Sequence, residues 1–124
     1  MLNRVQMTAL FGPAEAARRL GISVKALRVY EQRGLVRPRR TRLGWRAYAT
    51  EDLERVSRAL AFKAMGFSLA QIFGLLDAEA DDVAAALAAQ DTQLRDRRAA
   101  LDESLEALRQ ARRKLGAPTL RLAA

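Results

Sequence analysis

The chain has 124 residues, enough for one small domain with an extension but short for two independent cores, and it contains neither cysteine nor histidine. These absences exclude disulfides, thiolate or imidazole metal sites, and catalysis by Ser-His-Asp or Cys-His groups. Half of the residues are hydrophobic but only 6% are aromatic, which favours a mainly helical fold, and the net charge of +8 points to a polyanionic partner.

The positive charge is concentrated in the first half of the chain. Residues 1–60 hold 13 Lys and Arg against 5 Asp and Glu, a net of 13 − 5 = +8, whereas residues 61–124 hold 9 of each. The acidic residues fall in predicted caps and on exposed helix faces, so no enzymatic activity is expected. No apolar run approaches the roughly 18 residues that a membrane span needs, and we expect a cytoplasmic protein.

A helix-turn-helix is predicted near the start of the chain. Residues 1–10 show no clear period and are expected to be flexible. Gly12-Pro13 opens a first helix that Gly21 ends, and Ser23 caps a second helix that runs to Gly34. Two short helices joined by so tight a turn are typical of a helix-turn-helix, although an ordinary helical hairpin has the same pattern.

A basic hairpin follows the second helix. Residues 35–48 contain no acid and are interrupted by Pro38 and Gly44, a pattern that predicts two short strands around a loop. Arginine-rich runs are often only solvated faces or disordered tails. Here apolar residues that can anchor the strands to a core interleave with the arginines, and these are Leu35, Val36, Trp45 and Tyr48. An anchored basic loop is a wing that can lie along a phosphate backbone.

Many residues at fixed offsets resemble the MerR family of winged-helix transcription regulators. The motifs are Phe11-x-x-x-Glu15-Ala16-Ala17, Gly21-Ile22-Ser23-Val24-x-x-Leu27-Arg28-x-Tyr30-Glu31-x-x-Gly34-Leu35-Val36, Pro38-x-Arg40-x-x-x-Gly44-Trp45-Arg46-x-Tyr48, Glu51-Asp52-Leu53, and Met65-Gly66-Phe67-Ser68-Leu69-x-x-Ile72. The resemblance covers roughly residues 11–76. It implies a winged helix-turn-helix DNA-binding domain over residues 11–77.

The resemblance also implies which residues meet DNA. The second helix enters the major groove in this family, and the wing holds the backbone. Departures from the family at Ala26, Val29 and Trp45 imply an altered operator preference. Lys25 is a further candidate, because it is expected to be exposed near the start of the helix. The predicted DNA-binding residues are Lys25, Arg28, Tyr30, Arg40, Arg46 and Tyr48.

Two further short helices and one long helix complete the prediction. Thr50 is expected to cap the first, and Ser68 with Gln71 forms a capping box for the second. The third covers residues 78–115, because neither proline nor glycine interrupts it. Gly116, Ala117 and Pro118 are expected to end it, and residues 116–124 form a short tail.

Leucines recur every seven residues along the long helix, at the spacing of a coiled-coil seam. The companion positions are weaker, since Val83 and Leu105 are apolar but Asp91, Arg98 and Arg112 are charged. Packing on the chain's own first domain is one alternative. However, about 35 helical residues span roughly 50 Å, too long to pack wholly on so small a domain. A second copy is the simpler partner, and the family resemblance implies an antiparallel coiled coil. The predicted dimerisation residues are Leu87, Leu94, Leu101, Leu105 and Leu108.

The expected function is therefore that of a homodimeric transcription regulator on a pseudo-palindromic promoter site. By resemblance, it distorts the DNA so that RNA polymerase engages the promoter, with activation and repression both open. An architectural or recombination-accessory DNA-binding protein is the alternative, and a helical adaptor is a third. No cofactor is predicted, and the sequence names no small-molecule effector.

Overall fold

The computed structural model describes the backbone of residues 9–123 and the side chains of residues 9–116. The expectation of a flexible start therefore lies outside the described residues for positions 1–8. The chain divides into two compact units, Met1–Glu79 and Ala80–Ala124.

The fold is mainly helical, as predicted, with a small sheet. The elements in chain order are β1 (Leu10–Phe11), α1 (Pro13–Leu20), α2 (Val24–Gln32), β2 (Arg39–Arg40), β3 (Arg46–Ala49), α3 (Thr50–Ala64), α4 (Leu69–Leu76) and α5 (Ala80–Ala123).

The sheet has three antiparallel strands in the order β1-β3-β2. The predicted wing is confirmed, because Arg39 pairs with Ala47 and Arg40 with Arg46. The third strand was not predicted. Leu10 lies opposite Ala49 in β1, so its assignment to a flexible segment was wrong. The physical reason is that pairing with β3 gives the β1 backbone hydrogen-bond partners that water would otherwise supply.

The core of the first unit joins the helices to the wing. The largest fully buried side chains are Tyr48, Leu27, Leu35 and Val56. Leu35, Val36 and Tyr48 thus anchor the wing as predicted, but the expectation for Trp45 was wrong, since 67% of this residue is exposed. Trp45 precedes β3 and belongs to the turn at the wing tip, which directs it away from the core.

Side-chain N-caps fix the starts of α2 and α4. Ser23 Oγ accepts a hydrogen bond from the Ala26 amide at 3.0 Å, and Ser68 with Gln71 forms the predicted capping box. Thr50 is not a cap. Helix α3 begins at Thr50 itself, and the Asp52 carboxylate accepts from the Ala49 amide at 2.8 Å, which satisfies a donor of the first turn instead.

Helix α5 is longer than predicted. It starts at Ala80 and continues to Ala123, so the expected end at Gly116 and the short tail after it were wrong. A glycine inside a helix costs only about 1 kcal/mol relative to alanine, so Gly116 alone does not end a helix of this length. In the part of the chain that the structure describes, none of the helices combines the length and the hydropathy that a membrane span requires.

Candidate nucleic-acid interface

Helix α2 presents cations on its outer face. Its inner face is fixed by Leu27, which is fully buried, and by Tyr30, which is 8% exposed. Lys25 and Arg28 are exposed and lie three residues apart, so their side chains neighbour each other on the helix surface.

A close turn sets the position of α2 against α1. Gly21 adopts a φ of 70°, which glycine reaches without strain, and the Ile22 amide donates to the Ala17 carbonyl at 3.0 Å. Ala16 and Ala17 of α1 are buried in the core of the first unit. The helix-turn-helix is therefore held by small side chains and a hydrogen-bonded turn.

The wing tip is a hydrogen-bonded turn rather than a loose loop. The Thr41 amide donates to the Trp45 carbonyl at 2.8 Å, the Gly44 amide donates to the Thr41 carbonyl at 2.9 Å, and Thr41 Oγ1 accepts from the Trp45 amide at 3.1 Å. Arg40 also donates to the Gly44 carbonyl at 3.2 Å. This turn holds two exposed apolar residues, Leu43 and Trp45.

A groove of about 510 Å³ lies between α2 and the wing. Arg28 comes from α2, and Arg40 and Arg46 come from the wing strands. Among the residues that the structure describes, no carboxylate lines the groove. The described lining is Leu10, Phe11, Gly12, Pro13, Arg28, Arg40, Thr41, Gly44, Trp45, Arg46 and Ala47. Three cations with apolar walls and no acid suit a polyanion that also has an apolar surface.

An ion pair links the wing to α2. Arg46 Nε donates to both carboxylate oxygens of Glu31, at 2.8 and 2.6 Å, and both side chains are partly buried. The pair fixes the angle between the two elements that would meet DNA. It uses Nε, so the two Nη groups of Arg46 are not engaged by Glu31.

The two predicted tyrosine contacts are placed differently from the arginines. Tyr48 is fully buried, and its hydroxyl has no hydrogen-bond partner within the described part of the chain. Burial raises the pKa of this hydroxyl, and the negative charge of Glu31 raises it further. The predicted DNA contact of Tyr48 does not fit this placement, because the hydroxyl oxygen lies inside the domain. Tyr30 is nearly buried as well and lines a second, mostly apolar groove with Val29 and Lys63.

Of the predicted DNA-binding residues, Arg28, Arg40 and Arg46 line one groove, and Lys25 is exposed on α2 outside the lining of that groove; the prediction missed the wing tip. The sequence did contain a pattern that could have indicated the wing tip. Leu43 and Trp45 flank Gly44, and neither fits an apolar repeat that would place it in a core. Among the described residues, no group of three or more Asp or Glu could hold a metal ion.

These features define a winged helix-turn-helix protein with a cationic face. Family models match nearly the whole chain: one described as "MerR HTH family regulatory protein" matches residues 13–79, and one described as "MerR, DNA binding" matches residues 53–117. The chain belongs to the MerR family, whose members regulate transcription.

Relatives and solved structures agree with this assignment. The transcriptional activator mta of Bacillus subtilis is 35% identical over 89 residues, 71% of this chain and 35% of that protein. A probable heavy metal-dependent transcriptional regulator of Haemophilus influenzae is 44% identical over 64 residues, 51% of this chain and 50% of that protein. The chain thus spans between a third and a half of the length of these relatives.

Two solved structures share the fold. The N-terminal part of the Bacillus subtilis multidrug transporter activator matches with a TM-score of 0.76 and 31% identity, over 82% of this chain and 96% of that one. HiNmlR, a MerR family regulator lacking the sensor domain and bound to promoter DNA, matches with a TM-score of 0.61 and 26% identity, over 79% and 80% of the two chains.

Proposed function

We propose that this protein is a homodimeric, sequence-specific DNA-binding regulator of transcription. The observation that carries the proposal is the acid-free groove in which Arg28 of α2 faces Arg40 and Arg46 of the wing. A related structure holds promoter DNA, which supports the same kind of ligand for this surface. Because the ligand is promoter DNA, we also propose a cytoplasmic location.

Each side chain has a role in this proposal. Helix α2 lies in the major groove, where Lys25 and Arg28 reach base edges, and a guanidinium can donate two hydrogen bonds to guanine. Arg40 and the Nη groups of Arg46 bind phosphate oxygens, which position the domain without reading sequence. Tyr30 and Tyr48 support the interface through packing.

The proposed dimer forms through α5. Its leucine seam is exposed in the single chain, with Leu87 and Leu94 each 39% exposed and Leu101, Leu105 and Leu108 between 57% and 59% exposed. A contiguous apolar stripe of this kind is stabilised when a second helix covers it. Two copies about a twofold axis require a pseudo-palindromic DNA site.

We further propose that the dimer distorts its promoter and thereby controls RNA polymerase. Bending and untwisting DNA costs several kcal/mol, and the phosphate contacts of two wings offset that cost. An architectural role would use the same surface without acting on RNA polymerase.

Footprinting and transcription test the proposal. The purified protein is footprinted on the DNA flanking its own gene, and transcription from the same supercoiled template is measured. We expect a short symmetric footprint in one promoter, with a changed transcript level. Broad coverage at similar affinity would support the architectural role instead, and no footprint would refute the regulator.

A pair of variants separates the interface from bulk charge. Arg28→Ala should weaken the specific footprint. Arg18→Ala removes the same charge from α1, where Arg18 is ion-paired with Glu15, and should leave the footprint in place. Equal loss in both variants would mean that binding depends on net charge alone.

A further inference from the structure

Charges along α5 fall into four blocks of alternating sign. Residues 80–94 carry three acids and no base, and residues 95–98 carry three bases and one acid. Residues 102–106 then carry three acids and no base, and residues 109–114 carry four bases and no acid. The net charges are therefore −3, +2, −3 and +4. Read from the opposite end, every sign is reversed.

From this alternation we infer that α5 encodes the register of its own antiparallel pairing, with the twofold axis between Ala99 and Ala100. The inference rests on the proposed homodimer. An antiparallel pair about this axis sets each block against one of opposite sign, whereas a parallel pair in register sets every block against its own copy.

The leucine seam by itself allows several registers. Knobs-into-holes packing repeats every seven residues, so a helix can shift by one heptad and keep its leucines buried. Each such shift moves the twofold axis by half a heptad. Three registers result. Leu105 faces Leu87 of the second copy when the axis is near residue 96, Leu94 when it is near 99.5, and Leu101 when it is near 103. The leucines alone do not choose among these three.

The charged residues next to the leucines favour one of these three registers. At 3.6 residues per turn, four charged residues follow the same flank of the leucine stripe, with signs −, +, − and +. They are Asp91, Arg98, Asp102 and Arg109. With the axis at 99.5, Leu108 of the second copy lies opposite Asp91, and Leu101 lies opposite Arg98. The next residue along the second copy is of opposite charge in both cases, so Asp91 lies beside Arg109 and Arg98 lies beside Asp102. Twofold symmetry makes each of these pairs twice.

The neighbouring registers oppose like charges. With the axis near 96, Asp91 would face Asp102, and Arg98 would face the basic block that contains it. With the axis near 103, Arg98 would face Arg109. Like charges at facing positions destabilise a coiled coil, and unlike charges set its orientation.

The central pair is available for this contact. Asp91 bonds to Arg95 at 2.9 Å and Arg109 bonds to Glu106 at 2.6 Å within the helix. Arg98 and Asp102 are four residues apart, yet neither makes an ion pair within residues 9–116. Both are exposed.

Cysteine cross-linking measures the register, and the absence of native cysteine keeps the reaction specific. Leu105→Cys protein is mixed in turn with Leu87→Cys, Leu94→Cys or Leu101→Cys protein and oxidised after subunit exchange. We expect the fastest mixed disulfide with Leu94→Cys, because a disulfide needs Cα atoms within about 7 Å. Faster reaction with either other variant, or of Leu94→Cys with itself, would overturn the register.

Charge reversal tests the cause. Asp102→Arg should weaken the dimer about tenfold by sedimentation, and adding Arg98→Asp should restore it. Glu103→Arg makes the same charge change on the opposite face of α5 and should leave the dimer constant unchanged. Equal weakening by Asp102→Arg and Glu103→Arg would refute the charge code. An unmodified protein that sediments as a monomer would refute the proposed dimer itself, which is a separate result.

Discussion

At the scale of single residues, Arg28 is the side chain best placed to read a base. It is exposed on α2, and it lines the groove shared with the wing. We predict that Arg28→Ala lowers discrimination at one base position per half-site by about 1 to 3 kcal/mol. Competition binding with operators changed one position at a time measures this. Uniform weakening at every position would instead assign Arg28 to a phosphate.

Trp45 provides a second test at this scale, because it is the chain's only tryptophan and is 67% exposed at the wing tip. If the wing lies on the DNA backbone, the indole loses water contact when the complex forms. We predict a blue-shifted and quenched emission on operator binding. Trp45→Phe should remove the signal while binding persists, and an unchanged spectrum in saturated complex would place the tip away from DNA.

At the scale of elements, the Glu31–Arg46 pair holds the wing to α2. Glu31→Gln removes the charge and leaves a partly buried guanidinium with a weaker acceptor. We predict a loss of about 1 to 2 kcal/mol in the free energy of unfolding. The same variant should lower the pKa of Tyr48, which Glu31 raises in the native protein. Urea unfolding and an ultraviolet titration of the two tyrosines measure these effects. Neither change would occur if the pair were broken in solution.

A second ion pair joins α3 to the end of α4. Arg55 donates to the Leu35 carbonyl at 2.7 Å and to both Asp77 oxygens at 3.0 and 3.2 Å. The hydrogen bonds from Arg55 lower the pKa of Asp77 below its ordinary value of 3.8. A lowered native pKa adds stability above the unfolded pKa, and this stability is lost as pH falls through the native pKa.

We therefore predict that acid destabilises the native protein more steeply than the Asp77→Asn variant below about pH 4. Urea midpoints at pH 6 and pH 3 measure the difference. Glu15→Gln is a useful comparison, because Glu15 also has a lowered pKa but bonds only within α1. Parallel pH profiles for native protein and Asp77→Asn would show that this pair does not contribute.

The elements also show which features the sequence encodes locally. Ser23 and Ser68 cap their helices through bonds that span three residues, and Gly44 marks a turn by its own φ of 81°. Such features are readable because both partners are close in the chain. Strand β1 was missed because its partner, Ala49, is distant in sequence. The burial of Tyr48 and the exposure of Trp45 depend on how β3 meets the helices, which residue type alone does not specify.

At the scale of the whole molecule, the charges of the first unit serve DNA binding and the charges of α5 serve dimerisation. The first 60 residues carry the whole net charge of +8, and the remainder is neutral in total but alternating along α5. Binding of DNA should therefore depend steeply on salt through the first unit. Dimerisation should depend on salt only moderately, because it rests on leucines with a few flanking ion pairs.

The salt dependence of operator binding makes this division measurable. If each of two heads neutralises about four phosphates, the slope of log K against log salt is near roughly −7. Arg40→Ala should flatten the slope by about 2, because the dimer loses one phosphate contact per head and both losses count. Asp102→Arg should lower the apparent affinity for the operator at low protein concentration, where the dimer dissociates. The salt slope should stay unchanged at concentrations at which all the protein is dimeric. A steeper slope in saturated Asp102→Arg, where the added arginine would release further counterions, would mean that α5 itself contacts DNA, and the division of charge proposed for the two units would fail.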